Sequence, residues 1–332
     1  MLPRLAWWTG RSLSHSLLLP PPTSSTRFIA KCLNKNMGVD NNLLAKPRRR
    51  ANFRLCNVSC YTSEVLEIQS DAPTLHVLFV PGNPGVILFY KDFVEFLYEL
   101  LEGTASVTAI GHVSHSRKNL EHGRMFSLQE QIDHKIDFIR EELENVEIPI
   151  LLVGHSIGSY ISIEMFKKSP EKVKYCIGLY PFLTLNPHST TQLVIGKIAK
   201  SQVLAAALSY LTASLGLLPV QALRFLVRKS LGKSWSANAV EAACSHLSQL
   251  SEAPDWIFMR ERKAQLAFLF GVDDHWGPLH LLEEISKHVP GMATYIEREN
   301  HTHGFCCTEA GSLWVAQHVV NLIKNQMACS NQ

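Results

Sequence analysis

Net charge is nearly absent from this 332-residue chain: 32 Lys and Arg stand against 29 Asp and Glu, a formal +3. No long basic run lies among aromatic residues, which argues against a nucleic-acid partner. Abundant cysteine is lacking too: the chain has eight. Cys32, Cys56, Cys60, Cys176, Cys244, Cys306, Cys307 and Cys329 are scattered along a chain too long to read as a disulfide framework. No pair has zinc-finger spacing, since Cys56/Cys60 has no second half nearby, so a reducing compartment is the simpler reading. His112, His115 and His122 share one loop without a carboxylate or cysteine at fitting spacing, so no metal site is read. They are expected to line the rim of a site.

Acidic residues are missing before Asp40, while Arg4, Arg11, Arg27, Lys31 and Lys35 lie among serines. Such a composition resembles a transit peptide for a plastid or mitochondrion. A secretory signal does not fit, because the apolar run Leu17–Pro22 is short and ends in three prolines. Residues 1–50 read as an extension, transit-like or disordered, closed by the solvated Arg48, Arg49 and Arg50. Met37 offers a second start.

What the chain does have is a 46% hydrophobic content and an orderly alternation of segments. Leu55–Ile68 supplies one or two strands. Thr74–Val80, Ser106–Ile110, Ile148–Val153, Tyr175–Tyr180 and Ala264–Phe270 read as strands, with a weak one near Thr294–Ile296. Helical spacing marks Tyr90–Leu101, Leu128–Leu143, Ile157–Phe166, Leu279–His288 and Gly311–Ile323. The expected fold class is α/β, a mostly parallel sheet with helices on both faces, over residues 51–332. Reactive groups in such sheets sit at the carboxyl ends of strands, which selects the loops after Val80, Val153 and Phe270.

After Val153 comes Gly154-His155-Ser156-Ile157-Gly158, a G-x-S-x-G pattern. A chain this long shows it by chance about one time in ten, so the context has to decide. A strand precedes it and a helix follows, the setting of a nucleophile elbow. Glycines at both ends let chain segments pass close to a sharp turn. The turn would lift the Ser156 hydroxyl to a helix N-terminus, where the Ile157 N–H can bind an oxyanion. A serine nucleophile needs a base and an orienting carboxylate, in the chain order Ser, Asp or Glu, His. Asp273 or Asp274 follows the strand ending at Phe270, and His301 or His303 follows the strand near Ile296.

The segments Phe79-Val80-Pro81-Gly82-Asn83-Pro84-Gly85, Phe89-Tyr90, Gln131-Ile132-Asp133-His134-Lys135, Gly154 to Tyr160, Gly271 to Trp276 and His303-Gly304-Phe305 resemble the lipid droplet-associated hydrolase family of the α/β-hydrolase superfamily. The resemblance spans about residues 74 to 306. It implies Ser156 as nucleophile, Asp274 as orienting acid and His303 as base, with Asp273 and His301 in reserve. It also puts the PGNPG loop where other esterases carry a His-Gly loop, so that Gly82 or Asn83 offers the second oxyanion N–H. The loop lacks the Lys-Ser/Thr of a phosphate-binding loop, and nothing implies a cofactor. Trp276 reads as a packing residue or as a border of the acyl pocket.

The alternation lapses between about 182 and 260, where hydrolases of this kind carry a lid. Within it Ser201–Leu223 has no charge and is flanked by Lys197, Lys200, Arg224, Arg228 and Lys229. One transmembrane span is argued against, because it would separate strands of one sheet. The segment is either a buried pair of lid helices or a hairpin dipping into a lipid surface; the family resemblance favours the hairpin. It implies an esterase or lipase acting on sterol esters or acylglycerols in lipid storage or turnover, at lipid droplets and the endoplasmic reticulum membrane. Two alternatives share the scaffold: a weakly or non-catalytic droplet protein that affects droplet growth, and an acyltransferase.

Overall fold

Strand residues with apolar side chains on both faces demand cover on both sides, and the sequence supplies it as helices between strands. The computed structural model describes residues 49–115, 121, 124, 126–144, 147–185, 192, 250 and 253–330. These all fall in one unit, Lys46–Gln332. The N-terminal extension up to Arg48 and the Ser201–Leu223 segment with its flanking cations lie outside the described residues.

Eight strands form one sheet: β1 (Asn52–Val58), β2 (Tyr61–Ile68), β3 (Leu75–Val80), β4 (Ala105–Ile110), β5 (Ile150–His155), β6 (Val173–Leu179), β7 (Leu266–Gly271) and β8 (Ala293–Glu297). Their order is β1-β2-β4-β3-β5-β6-β7-β8. The pairs from β4 to β8 are parallel, and β1–β2 and β2–β4 are antiparallel. The region expected to give one or two strands is thus a hairpin at the sheet edge. Its turn uses Ser59 and Cys60, with φ of 48° and 69°. Two residues with positive φ match the twist of a hairpin, but the Asn-Gly signature is absent, so the sequence hid the turn.

The described helices are α1 (Lys91–Leu100), α2 (Leu128–Glu142), α3 (Ile157–Lys168), α4 (Trp256–Glu261), α5 (Leu279–His288) and α6 (Glu309–Ser330). Alternation along the strands divides the core. Leu78 and Val80 join a cluster with Leu128 and Ile132 of α2, Ile161 of α3 and Ile285 of α5. Phe79 points the other way and meets Phe93 of α1 at 5.2 Å between ring centroids. α6 packs against α1 on that face.

α4 lies within the stretch expected to be lid, yet it belongs to the body. Met259 is fully buried, Phe258 meets Phe166 of α3 edge-on at 5.4 Å, and Trp256 stacks on His288 of α5 at 4.6 Å. Asp255 caps it, accepting from the Phe258 N–H at 3.0 Å. Its apolar residues pack here because the sheet needs cover beside α3.

α2 starts with a capping box. The Ser127 hydroxyl accepts from the Glu130 N–H at 3.2 Å, and the Glu130 carboxylate accepts from the Ser127 N–H at 2.8 Å. Three of its polar residues turn inward, and one of them, His134, meets the Ser63 hydroxyl at 3.2 Å through Nε2. Gln131 exchanges a pair of 3.0 Å bonds with the backbone of Val113. Lys135 is fully buried, and its Nζ donates to the Gly111 carbonyl and the Gln131 side-chain oxygen, both at 3.3 Å. The Gln131-to-Lys135 segment therefore clamps the loop after β4.

Burial lowers the Lys135 amine from 10.5 to about 7. A lowered folded-state pKa means that the unfolded chain binds more protons between these two values. The penalty is complete below 7 and fades as pH rises to 10.5, so stability should climb with pH in that window, at up to about 1.4 kcal/mol per unit. Lys135→Met should flatten the climb in urea midpoints measured between pH 7 and 10. An unchanged slope would mean that another group causes it.

Candidate active site

Three chain segments meet at the carboxyl ends of the central strands. The first is the turn from β5 into α3. Ser156 sits there with φ 55° and ψ −123°, a left-handed conformation for a side chain that disfavours it. Close approach on both sides demands glycine: a Cβ at Gly154 would overlap the Gly158 carbonyl, and one at Gly158 would overlap the Val80 carbonyl. The turn is anchored by Ser156 N–H donating to the Leu179 carbonyl at 2.9 Å and Phe182 N–H donating to the Ser156 carbonyl at 3.1 Å. The reading of a strand, a tight turn and a helix is what the chain adopts.

The second segment is the loop after β7. Asp274 is buried and Asp273 is exposed. The Asp274 carboxylate accepts from the Trp276 N–H on Oδ1 at 2.9 Å and from His303 Nδ1 on Oδ2 at 2.9 Å. His303 comes from the third segment, the loop between β8 and α6. Its ring stays partly open, at 22% side-chain exposure against 1% for Asp274, which suits a base that must reach substrate. His301 instead sits against Trp314, with ring centroids 5.6 Å apart. The geometry thus joins Asp274 to His303 and leaves both reserves apart from that pair. Trp276 lies 5.6 Å from Phe182 and 6.5 Å from His303, at the border of the site. From the insertion, the Gln192 side chain donates to the His275 carbonyl at 3.1 Å, beside Asp274.

The Ser156 hydroxyl has no hydrogen-bond partner among the described residues. Nucleophile–base bonds are commonly loose before substrate binds and tighten in the complex. His303 is nonetheless held against the elbow: its ring lies 4.8 Å from that of His155, the residue before Ser156.

The PGNPG loop after β3 also reaches the elbow. A Cβ on Gly82 would stand 2.9 Å from the Ser156 Cβ. Of its two candidate oxyanion donors, Gly82 is already engaged, since its N–H donates to the Tyr90 hydroxyl at 3.1 Å. The Asn83 N–H has no acceptor among the described residues, and the Ile157 N–H at the first turn of α3 has no intrahelical acceptor.

His112 and His115 do not line the rim as expected. Both are buried; His115 Nδ1 accepts from the Gly85 N–H at 3.0 Å, and the Gly85 carbonyl accepts from the His112 N–H at 3.1 Å. They brace the PGNPG loop from behind, because the β4 loop that carries them is pulled inward by Gln131 and Lys135. His122 lies outside the described residues. Tyr90 and His155 stand in the sequence only as parts of motifs, and nothing local marks either as functional. Their signal is a hydrogen-bonding side chain beside each glycine loop, and it acquires meaning only through partners 65 residues apart.

Comparison with other proteins agrees with this frame. A model of the family described as lipid-droplet associated hydrolase matches residues 73–306. The lipid droplet-associated hydrolase of Dictyostelium discoideum is 26% identical over 289 residues, covering 79% of this chain and 94% of the relative. That of Homo sapiens is 27% identical over 266 residues, covering 70% and 80%. Among solved structures, haloalkane dehalogenase DbeA from Bradyrhizobium elkani superposes with a TM-score of 0.62 at 15% identity, over 84% of this chain and 99% of that one. A soluble variant of monoglyceride lipase from Saccharomyces cerevisiae gives 0.58 at 13% identity, over 88% and 98%. Such distant structures speak to fold alone, and the fold is that of the α/β-hydrolases. With the family model covering most of the sequence, the chain belongs to the lipid droplet-associated hydrolase family.

Proposed function

We propose that this protein is a serine hydrolase that cleaves apolar carboxylic esters at the surface of lipid droplets. The observation that carries the reading is the 2.9 Å bond from His303 to the buried Asp274, in loops that converge on the strained Ser156. Ser156 Oγ attacks the ester carbonyl while His303 Nε2 takes its proton. The oxyanion forms against the N–H groups of Ile157 and Asn83. Collapse expels the alcohol with a proton from His303, leaving an acyl-enzyme. Water, activated by the same imidazole, releases the acid.

The names of the relatives support a lipid-droplet setting, and the uncharged Ser201–Leu223 segment with its basic flanks suits a lipid surface. Sterol esters and acylglycerols are the substrate classes that fit both. Treating the protein with a fluorophosphonate and mapping the adduct tests the chemistry: Ser156 is expected to carry it, and an unlabelled protein would sink the proposal. Turnover of an emulsified sterol ester or triacylglycerol is expected to exceed that of a water-soluble acetate ester. The opposite preference would remove the lipid-surface part. Deleting residues 201–223 should lower partitioning onto isolated droplets, and equal partitioning would count against the hairpin.

A further inference from the structure

Two buried side chains that take no chemical part in ester cleavage connect three loops of the site, all but the one that carries Asp274. Tyr90 is 3% exposed and His155 is 5% exposed. Three hydrogen bonds link them: Gly82 N to Tyr90 Oη at 3.1 Å, Tyr90 Oη to His155 Nδ1 at 2.7 Å, and His155 Nε2 to the His303 carbonyl oxygen at 2.9 Å. The direction of every bond is fixed by chemistry. A carbonyl oxygen only accepts, so His155 carries its proton on Nε2. Nδ1 is then an acceptor, and the Tyr90 hydroxyl donates to it. The same hydroxyl oxygen accepts from the Gly82 N–H. The chain of bonds needs a neutral imidazole, and burial, followed by the neighbouring His303, holds His155 well below its ordinary range. Phe305 locks the rings in place, 5.1 Å from His155 and 6.2 Å from Tyr90.

We propose that Tyr90 and His155 are positioning residues: a strut that holds the oxyanion loop, the nucleophile elbow and the base at fixed mutual distances. The proposal rests on the serine-hydrolase reading above and deepens it. At one end the strut consumes the Gly82 N–H and so presents the next one, on Asn83, to the oxyanion. At the other it grips the backbone of His303, whose ring is already held by Asp274. In the middle, His155 is covalently next to Ser156, so any drift of its ring moves the nucleophile. Reacting groups lose about a hundredfold in rate for a misplacement near 1 Å, which is the scale on which such a strut acts.

Tyr90→Phe removes one donor and one acceptor and keeps the ring. It is expected to lower kcat on a p-nitrophenyl ester by about 10–100-fold, with KM changed less than about twofold. The rate of Ser156 phosphonylation should fall in parallel, because the phosphonyl oxygen uses the same oxyanion donors. All rates are taken per titratable Ser156, which separates positioning from loss of folded protein. His155→Gln keeps an acceptor and a donor on one side chain and should retain more kcat than His155→Leu, which keeps neither. That ranking also decides the matter if Tyr90→Phe does not fold. Wild-type kcat and labelling rate in Tyr90→Phe, or equal rates in the two His155 variants, would overturn the strut while leaving the serine reading intact. A wild type that is not labelled at Ser156 would overturn both.

Discussion

Ser156→Ala is expected to lower turnover of an activated ester by about 10⁶-fold and to abolish fluorophosphonate labelling. The size follows from what the substitution removes. Without the hydroxyl there is no acyl-enzyme, and His303 and Asp274 have no proton to move. The oxyanion donors and the pocket remain, so residual catalysis of about a thousandfold over water would survive. The variant should fold, because the hydroxyl has no partner among the described residues and its loss orphans no buried group. The positive φ of 55° is as unfavourable for alanine as for serine, so no strain is relieved. Circular dichroism and the thermal midpoint should match the wild type. Labelling of Ser156→Ala at the wild-type rate would move the nucleophile elsewhere.

Asp274→Asn is the second large effect, expected at about 10⁴-fold in kcat. The Asp274 carboxylate receives two donors, the Trp276 N–H and His303 Nδ1. An amide has one oxygen. If that oxygen keeps Trp276, the NH₂ group faces His303 and forces Nδ1 to become an acceptor. The imidazole proton then sits on Nε2, which can no longer take the serine proton. Asp273→Asn provides the contrast. Its side chain is exposed and outside the Asp274–His303 pair, so kcat should stay within about twofold. Steady-state kinetics on the two variants decide which aspartate orients the base; the reverse ranking would hand the role to Asp273.

Much of this site was legible in the residues because its parts obey local rules. A strand ending in Gly-x-Ser-x-Gly needs only neighbours in sequence to be read, and so do an aspartate just past β7 and a histidine just past β8. Helical spacing predicts α5 with its observed ends, Leu279 and His288. Most other boundaries moved by one to three residues, as helix ends tighten and strand pairs extend. α6 moved further, running on to Ser330 past the expected Ile323. What stayed hidden depends on distant partners. Lys135 lies on a charged, amphipathic helix, yet it is buried because the Gly111 carbonyl and Gln131 receive its amine. Tyr90 reads as the apolar start of a helix, and His155 as the variable letter of a motif. Their roles come from each other, and no periodicity reports that. His112 and His115 look like a polar loop at the surface, and only the inward pull on the β4 loop buries them.

Strands β6 and β7 lie side by side in the sheet, paired from Cys176↔Leu266 to Leu179↔Leu269. The connection that carries the long insertion leaves β6 at its carboxyl end and enters the parallel β7 at its amino end. Its closure entropy grows only with the logarithm of its length, about 0.6 kcal/mol for each doubling. Lengthening, shortening or exchanging residues 186–249 alters no residue of the eight described strands or of the Asp274–His303 pair, and reaches the Asp274 loop through Gln192, which donates to the His275 carbonyl. Under the proposed function two evolutionary tasks separate: the groups assigned to the reaction sit in the sheet's loops, while the stretch between β6 and β7 can vary as a cassette. Grafting this stretch between relatives is a direct way to move ester preference without rebuilding the catalyst.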